Sequence, residues 1–258
     1  MKYILVCVKA VPISSSVEVD GQHRLKRDGA SLQWNIADES ALEAAFRLAD
    51  KDGSVTVLTM GPPKLEGPLS ELIARGANRA VLITDRFMAG ADTRATARAL
   101  ATAATKLGPF DAIFCGCKAI DGETGQVPGE LAAILKLPCV SNAEKIEKQG
   151  DTLAIVRRLE NGVQNLEASG PLVVSFNSYS YPLRLAGILG MRRARKTPVE
   201  ILTAADLGLP PESCGLKGSL TKVVAMETRF PGLRRGPKET NLDTGVDTLC
   251  TILREALQ

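Results

Sequence analysis

Asp121, Glu123, Thr124 and Gln126 bring carboxylate, hydroxyl and amide groups together in one short stretch, Cys115–Gln126 (CGCKAIDGETGQ). Side chains of these types can pair with the hydroxyls of a ribose. Gly116, Gly122 and Gly125 between them let backbone N–H groups approach a phosphate closely. The stretch is neither G-x-G-x-x-G nor a Walker A loop, and no Gly-Lys-Ser/Thr follows an apolar run. On spacing alone it also reads as a strand-to-helix turn with a capping Asp or Thr.

Other chemistry is scarce. The cysteines at 7, 115, 117, 139, 214 and 250 sit largely in apolar company, as small core residues of a reducing compartment do. Cys115-Gly-Cys117 is C-x-C with no second pair beside it, so neither a metal centre nor a disulfide is expected. His23 lies in a polar segment without ligand partners, and no Ser-His-Asp or Cys-His arrangement is present. No catalytic side chain is expected.

The elements that must position the stretch are a strand before it, Asp111–Cys115, and a helix after it, Val127–Leu135. Unalternating apolar runs also occur at Tyr3–Val8, Val55–Thr59 and Ala80–Thr84. Segments of helical period separate them at Glu39–Ala49, Leu69–Arg75 and Thr93–Leu107. This alternation predicts an α/β fold with a doubly wound, mostly parallel, Rossmann-like sheet. Ligands of such sheets sit at the carboxyl ends of the strands. That rule gathers Cys7–Val11, Met60–Pro63, Asp85–Thr93 and the 116–126 loop onto one rim.

Beyond about residue 138 the pattern changes. Asn142–Glu147, Thr152–Leu159, Val163–Ala168 and Leu172–Phe176 are predicted strands, read as antiparallel additions to the sheet. From Tyr179 onward, Arg184, Arg192, Arg193, Arg195 and Lys196 surround the apolar Ile188 and Leu189. Thr203–Leu209 reads as a capped helical turn, Phe230–Lys238 as a Pro/Gly/Arg-rich linker, and Thr244–Leu257 as a last helix. The expected organisation is a domain over 1–182 and an extended C-terminal arm over 183–258. The arm has little core of its own, so it should lie along a second subunit or fold back on its own domain.

At 258 residues the chain fits one large domain or one domain with an appendage, and 45% apolar but only 4% aromatic content suits an Ala/Leu/Val core. A net charge of +3 does not argue for nucleic acid, and the basic stretch lacks stacking aromatics. No apolar run approaches the roughly 18–20 residues a membrane span requires. The chain opens directly on a strand with no signal segment, so a soluble, cytoplasmic protein is expected.

Several motifs in register then give a resemblance. GCKAIDGETGQV (116–127) looks like the G-K-Q-A-I-D-x-[DE]-x-x-Q nucleotide loop of the beta-subunit family of electron transfer flavoproteins. Ile155–Ser175 follows that family's signature, with Glu160, Gly162, Gln164, Leu166 and Pro171 in place and Asn161 departing from it. The opening Val6–Lys9, Asn35 ahead of an acidic helix start, the basic Arg184–Lys196, Asp206–Leu209 and Gly215–Ser219 complete the match.

The resemblance implies an electron-carrier subunit without catalysis of its own, paired as a heterodimer with an FAD-bearing alpha subunit. Its adenine-nucleotide-binding domain would hold either a second FAD or a structural AMP. The family's nucleotide contacts carry over to Cys7 (through its backbone), Asn35, Asp38, Met60 and the loop Gly116, Cys117, Lys118, Ala119, Ile120, Asp121, Gly122, Glu123, Thr124, Gly125, Gln126 and Val127. Its partner-recognition loop, which docks acyl-CoA dehydrogenases, maps to Ile188 and Leu189 with Arg192 and Arg193 beside them.

Gly122 and Gly125 around Glu123-Thr124 are similar to the loop of electron-bifurcating members. So is Gly90-Ala-Asp92-Thr93 followed by Thr96, where the two threonines fall at a helix start that could meet a pyrophosphate. Asp92 or Thr93 could equally cap its own helix. Cys117-Lys118 replaces the usual Lys-Gln, and Val127-Pro-Gly129 replaces Val-Gly-Pro. The reading favours FAD, with AMP as the alternative. With FAD, the subunit would belong to an oxidoreductase complex in which electrons from NADH divide between ferredoxin and the alpha-subunit flavin. With AMP, it would be a scaffold stabilised by its nucleotide. A paralogue that has lost its nucleotide and a universal-stress-type ATP binder are the readings from other classes; the retained glycines, Asp121 and Gln126 speak against the first, and the missing phosphate motif against the second.

Overall fold

The computed structural model describes residues 1–13, 31–224 and 241–256. His23, the Phe230–Lys238 linker and Leu257 lie outside the described residues. In chain order the elements are β1 (Tyr3–Cys7), β2 (Ala10–Pro12), β3 (Leu32–Trp34), α1 (Ile36–Leu48), β4 (Ser54–Met60), α2 (Glu66–Arg75), β5 (Arg79–Ile83), α3 (Thr93–Leu107), β6 (Ala112–Gly116) and α4 (Val127–Leu135). They continue with β7 (Cys139–Gln149), β8 (Thr152–Leu159), β9 (Gly162–Ala168), β10 (Leu172–Phe176), α5 (Ile188–Ala194), β11 (Glu200–Leu202), α6 (Gly215–Gly218) and α7 (Leu242–Ala256).

One sheet carries the order β11-β5-β4-β1-β6-β10-β7-β8-β9, and β2 pairs with β3 in a separate antiparallel ribbon. Every pairing from β11 to β7 is parallel, while β7-β8-β9 is antiparallel. This is the Rossmann-like, mostly parallel α/β sheet the alternation of runs predicts. The apolar runs are continuous because both faces of the sheet are covered. Ile4, Val6, Val57, Leu82, Phe114 and Val174 face the side of α1 and α2. Their neighbours Leu5, Leu58, Val81, Ile83, Ile113 and Val173 face the side of α3 and α4.

One strand departs from expectation. Leu172–Phe176 is not an antiparallel addition: β10 inserts between β6 and β7, parallel to both. All five of its residues are buried. A strand enclosed on both faces and both edges has no solvent side, so its apolar run without alternation was the signature of a central parallel strand. The short elements β2, β3, β11 and α5 carry too few residues to show a period, and periodicity alone does not find them.

Chain direction creates the crevice that matters. From β1 the chain steps outward through α1, β4, α2 and β5 along one face. It then returns across the other face in α3 to lay β6 on the opposite side of β1. The strand order therefore reverses between β1 and β6, the position where open α/β sheets take ligands.

Residues 1–224 form one compact unit. Its last segment adds β11 beside β5 and buries Leu202, Ala204, Leu207 and Cys214. The unit from Ala225 onward has α7 as its described part, a helix whose Leu242, Val246, Leu249 and Leu253 form an exposed apolar stripe at helical spacing.

Candidate functional site

The crevice floor is built by the first turn of α1. Asp38 Oδ2 accepts the Lys9 N–H at 2.8 Å, and its Oδ1 accepts the Gly116 N–H at 2.8 Å. One carboxylate thus ties the exit of β1 to the end of β6. Gly116 is required there, because an added Cβ would run into Asp38 Oδ1 and lie 2.7 Å from the Ala37 methyl. Asn35 stands at the N-cap position of α1 yet does not cap it. Its backbone N–H donates to the Lys9 carbonyl at 2.9 Å, its Nδ2 donates to the Lys118 carbonyl at 2.9 Å, and its Oδ1 accepts the Ile120 N–H at 3.3 Å. Asn35 and Asp38 are both buried. Burial pushes the Asp38 carboxyl up to about 7, against the lowering effect of the Lys9, Asn35 and Gly116 donors.

From this floor the loop rises outward. The Cys117 N–H continues the sheet by donating to the Phe176 carbonyl at 2.8 Å. Burial holds the Cys117 thiol above its usual range, so the residue is neutral. A turn closes where the Glu123 N–H donates to the Ala119 carbonyl at 2.9 Å, with Glu123 at φ 51 and Gly125 at φ 62. Inside the turn the Asp121 side chain is only 5% exposed, and Lys9 Nζ lies 2.6 Å from its Oδ1. Gly122, Glu123, Thr124, Gly125 and Gln126 are exposed. Lys118 pairs with Glu123 at 3.6 Å on that open side.

The start of α3 meets the start of α4 at the same rim. Thr93 Oγ1 lies 3.0 Å from Gln126 Oε1 and 3.2 Å from Glu130 Oε1. The second oxygen, Glu130 Oε2, is buried without a hydrogen-bond partner among the described residues. Asp92 is turned elsewhere: Oδ1 caps α3 through the Ala95 N–H at 2.9 Å, and Oδ2 accepts the Leu220 and Thr221 N–H groups at 2.8 and 3.0 Å. Burial opposes ionisation of Asp92, but these donors prevail and hold its carboxyl below the usual range. Thr96 is half-buried one turn further along α3, and Met60 is half-buried at the end of β4. The Cys7 side chain packs into the core on the α3/α4 side, which leaves its backbone to border the crevice.

Of the residues singled out in the sequence, Asn35, Asp38 and the 116–126 loop meet at the β1/β6 crevice, and Thr93 is joined to the loop through Gln126. Gly122–Gln126 are exposed with donors and acceptors, while Asn35 and Asp38 spend their side chains on holding backbone. Lys9, which only closed the Val6–Lys9 match in the sequence, reaches the loop through Asp121. The available signal was a lysine at the carboxyl end of an otherwise apolar strand.

The apolar tip at Ile188 and Leu189 is exposed, 75% and 79% respectively. The arginines around it are not all rim charges. Arg184 grips Glu43 with its backbone N–H and with Nε and Nη2 at 2.9 and 3.1 Å, and its guanidinium lies 4.8 Å over the Phe46 ring. Arg193 Nη2 donates to the Ile73 carbonyl at 2.7 Å, and Gly190 packs against the Ala74 carbonyl too closely to admit a side chain. Arg192 is exposed. Among the described residues no group of His, Cys, Asp and Glu could hold a metal ion, and no helix is long and apolar enough to cross a membrane.

Comparison with known proteins gives a consistent result. The family described as electron transfer flavoprotein domain matches residues 24–207. An electron transfer flavoprotein subunit beta of Thermoanaerobacterium thermosaccharolyticum is 44% identical over 229 residues, covering 87% of each chain. A caffeyl-CoA reductase-Etf complex subunit of Acetobacterium woodii is 36% identical, covering 85% of each chain. An acryloyl-CoA reductase electron transfer subunit gamma of Anaerotignum propionicum is 39% identical, covering 85% of this chain and 86% of its own.

Proposed function

The chain belongs to the electron transfer flavoprotein family as a beta subunit, and from that premise we propose that it holds an FAD at the β1/β6 crevice and takes part in NADH-dependent electron bifurcation. Membership implies an alpha-subunit partner and a dehydrogenase complex. The observation that carries the reading is the junction of the α3 start with the nucleotide loop, Thr93 Oγ1 standing 3.0 Å from Gln126 Oε1. A seat of loop alone suits a mononucleotide. The loop joined to a second helix start, with Thr93 and Thr96 in its first turns, offers room for a longer ligand carrying a pyrophosphate. Two relatives bear the names of CoA-linked reductase complexes, in keeping with this reading.

The donor set fits such a group. Thr124 and Gln126 offer hydroxyl and amide, and the glycines leave the outer face open. Pro128 removes one N–H from the first turn of α4, so more of the anion binding falls to α3. The chemistry FAD supplies when bound is the conversion between two-electron and one-electron transfer; the residues here bind, orient and exclude water. Electrons would divide between ferredoxin and the alpha-subunit flavin, and the exposed tip at Ile188 and Leu189 would dock an acyl-CoA dehydrogenase. An exposed apolar tip is suited to be the central anchor of an interface, with Arg192 at its rim.

Asp92 favours the AMP alternative, since both its oxygens are engaged within the protein. The test is to purify the chain with its alpha subunit, denature the complex and quantify both nucleotides. A second FAD beside the alpha subunit's own, with no AMP, is the expected result. A single FAD accompanied by AMP overturns the bifurcating reading and leaves a simple carrier.

A further inference from the structure

Lys9 is joined to three parts of the site. Its N–H donates to Asp38 Oδ2 and its carbonyl accepts from the Asn35 N–H, so the first turn of α1 fixes its backbone from both sides. The side chain then crosses to the loop, where Nζ lies 2.6 Å from Asp121 Oδ1. The two ends of this bond differ in setting, the Lys9 side chain being 45% exposed and that of Asp121 only 5%. A carboxylate so far removed from water is costly to bury unless it is paired, and Lys9 pairs with it.

Position in the chain adds the mechanical argument. Asn35 clamps the loop at Lys118 and Ile120. Lys9 takes hold at the next residue, where the chain turns outward toward Gly122. Residues 122–126, beyond that point, are exposed. The Lys9–Asp121 bond is therefore the hinge pin between the clamped half of the loop and the half that faces a ligand.

We propose that Lys9 is a positioning residue of the nucleotide site, acting through Asp121 to hold the 119–123 turn in the shape that presents Gly122–Gln126 to the ligand. This rests on the reading that a nucleotide binds here. The adenosine phosphate common to AMP and FAD is the part of the ligand concerned, so the proposal holds for either.

The test uses the heterodimer with its alpha subunit, titrated with AMP and with FAD after its own nucleotides are stripped. K9M is expected to weaken binding ~10-fold or more, and K9R to stay within ~3-fold of the original protein. The K9M/D121N double variant should bind no more weakly than D121N alone, because Lys9 acts through Asp121. K9Q replaces K9M if the latter does not assemble. Unchanged binding in K9M or K9Q overturns the proposal, as does failure of K9R to restore binding or additive losses in the double variant. Original protein that retains neither nucleotide overturns the proposed function and this inference together, whereas retention by original and K9M protein alike overturns this inference alone.

Discussion

Helix α1 carries two buried carboxylates, and the regions they serve are built on opposite principles. Asp38, in the first turn, accepts backbone N–H groups from Lys9 and Gly116 at the β1/β6 crevice. Glu43, further along, accepts the guanidinium groups of Arg184 and Arg47 beneath the 184–194 segment. Burial pushes Asp38 up to about 7 because its backbone and amide donors, with the Lys9 charge, do not repay its desolvation. Burial also works against Glu43, but full positive charges from Arg184 and Arg47 outweigh it and hold that carboxyl below its usual range. A buried acid takes its ionisation from what donates to it. The floor of the β1/β6 crevice is thus tied by a buried acid bonded to backbone N–H groups, and the 184–194 segment by charge pairs that reach the surface.

The sharpest way to break this comparison is pH. The Asp38 value is raised from 3.8 to about 7 in the folded protein, so its stabilising contribution is complete below 3.8 and is lost as pH rises through about 7. Relative to D38N, the original protein should lose at most about 4 kcal/mol of unfolding free energy over that window. Urea denaturation of both proteins across the window checks this, and parallel pH profiles would disprove it. Glu43 has the opposite sign: its contribution is present above the ordinary carboxyl value and fades as pH falls through the lowered one.

Next in size is Gly116→Ala. The new methyl meets Asp38 and Ala37, neither of which can retreat from the α1 start, and a loss of about 3 kcal/mol is expected with weakened nucleotide binding. Chemical denaturation together with nucleotide content reads both effects. Glu43→Gln should cost less, about 1–2 kcal/mol, because Arg184 is partly exposed and water screens the broken pair. That substitution is expected to leave nucleotide content unchanged and to impair electron delivery to the dehydrogenase. Equal damage to both would erase the distinction between the regions. Smallest for stability is the pair Ile188→Ser and Leu189→Ser. Both side chains are exposed, so the melt should move by less than about 0.5 kcal/mol while partner turnover falls.

Much of the fold was legible because it is set by neighbours in the chain. Val127–Leu135, Thr152–Leu159 and Thr93–Leu107 begin and end in the structure where period, Gly and Pro place them. Leu172–Phe176 was legible as a strand but not as a parallel one, since the identity of its neighbours depends on a crossing over β7 and β8. The loop at 116–126 stood out through its glycines, and Gly116 and Gly125 have the structural need those residues suggest. Lys9 stood out only as the end of the Val6–Lys9 motif, and Glu43 not at all. Each is an ordinary charged residue until its distant partner, Asp121 or Arg184, is folded against it.

Sequence alone determined the alternation of strand and helix, the rim on which the polar loop sits and the family to which its motifs belong. These rest on side-chain period, backbone freedom at glycine and residue order, all of them local quantities. Tertiary structure decided which acid does what. Asp38, Asp92 and Asp121 are three aspartates in or beside the segments the sequence places on one rim. Packing makes the first a clamp on backbone, the second a cap that also holds residues 220 and 221, and the third the buried half of an ion pair. Burial and long-range donors fix these roles, and neither is written in the residues beside them.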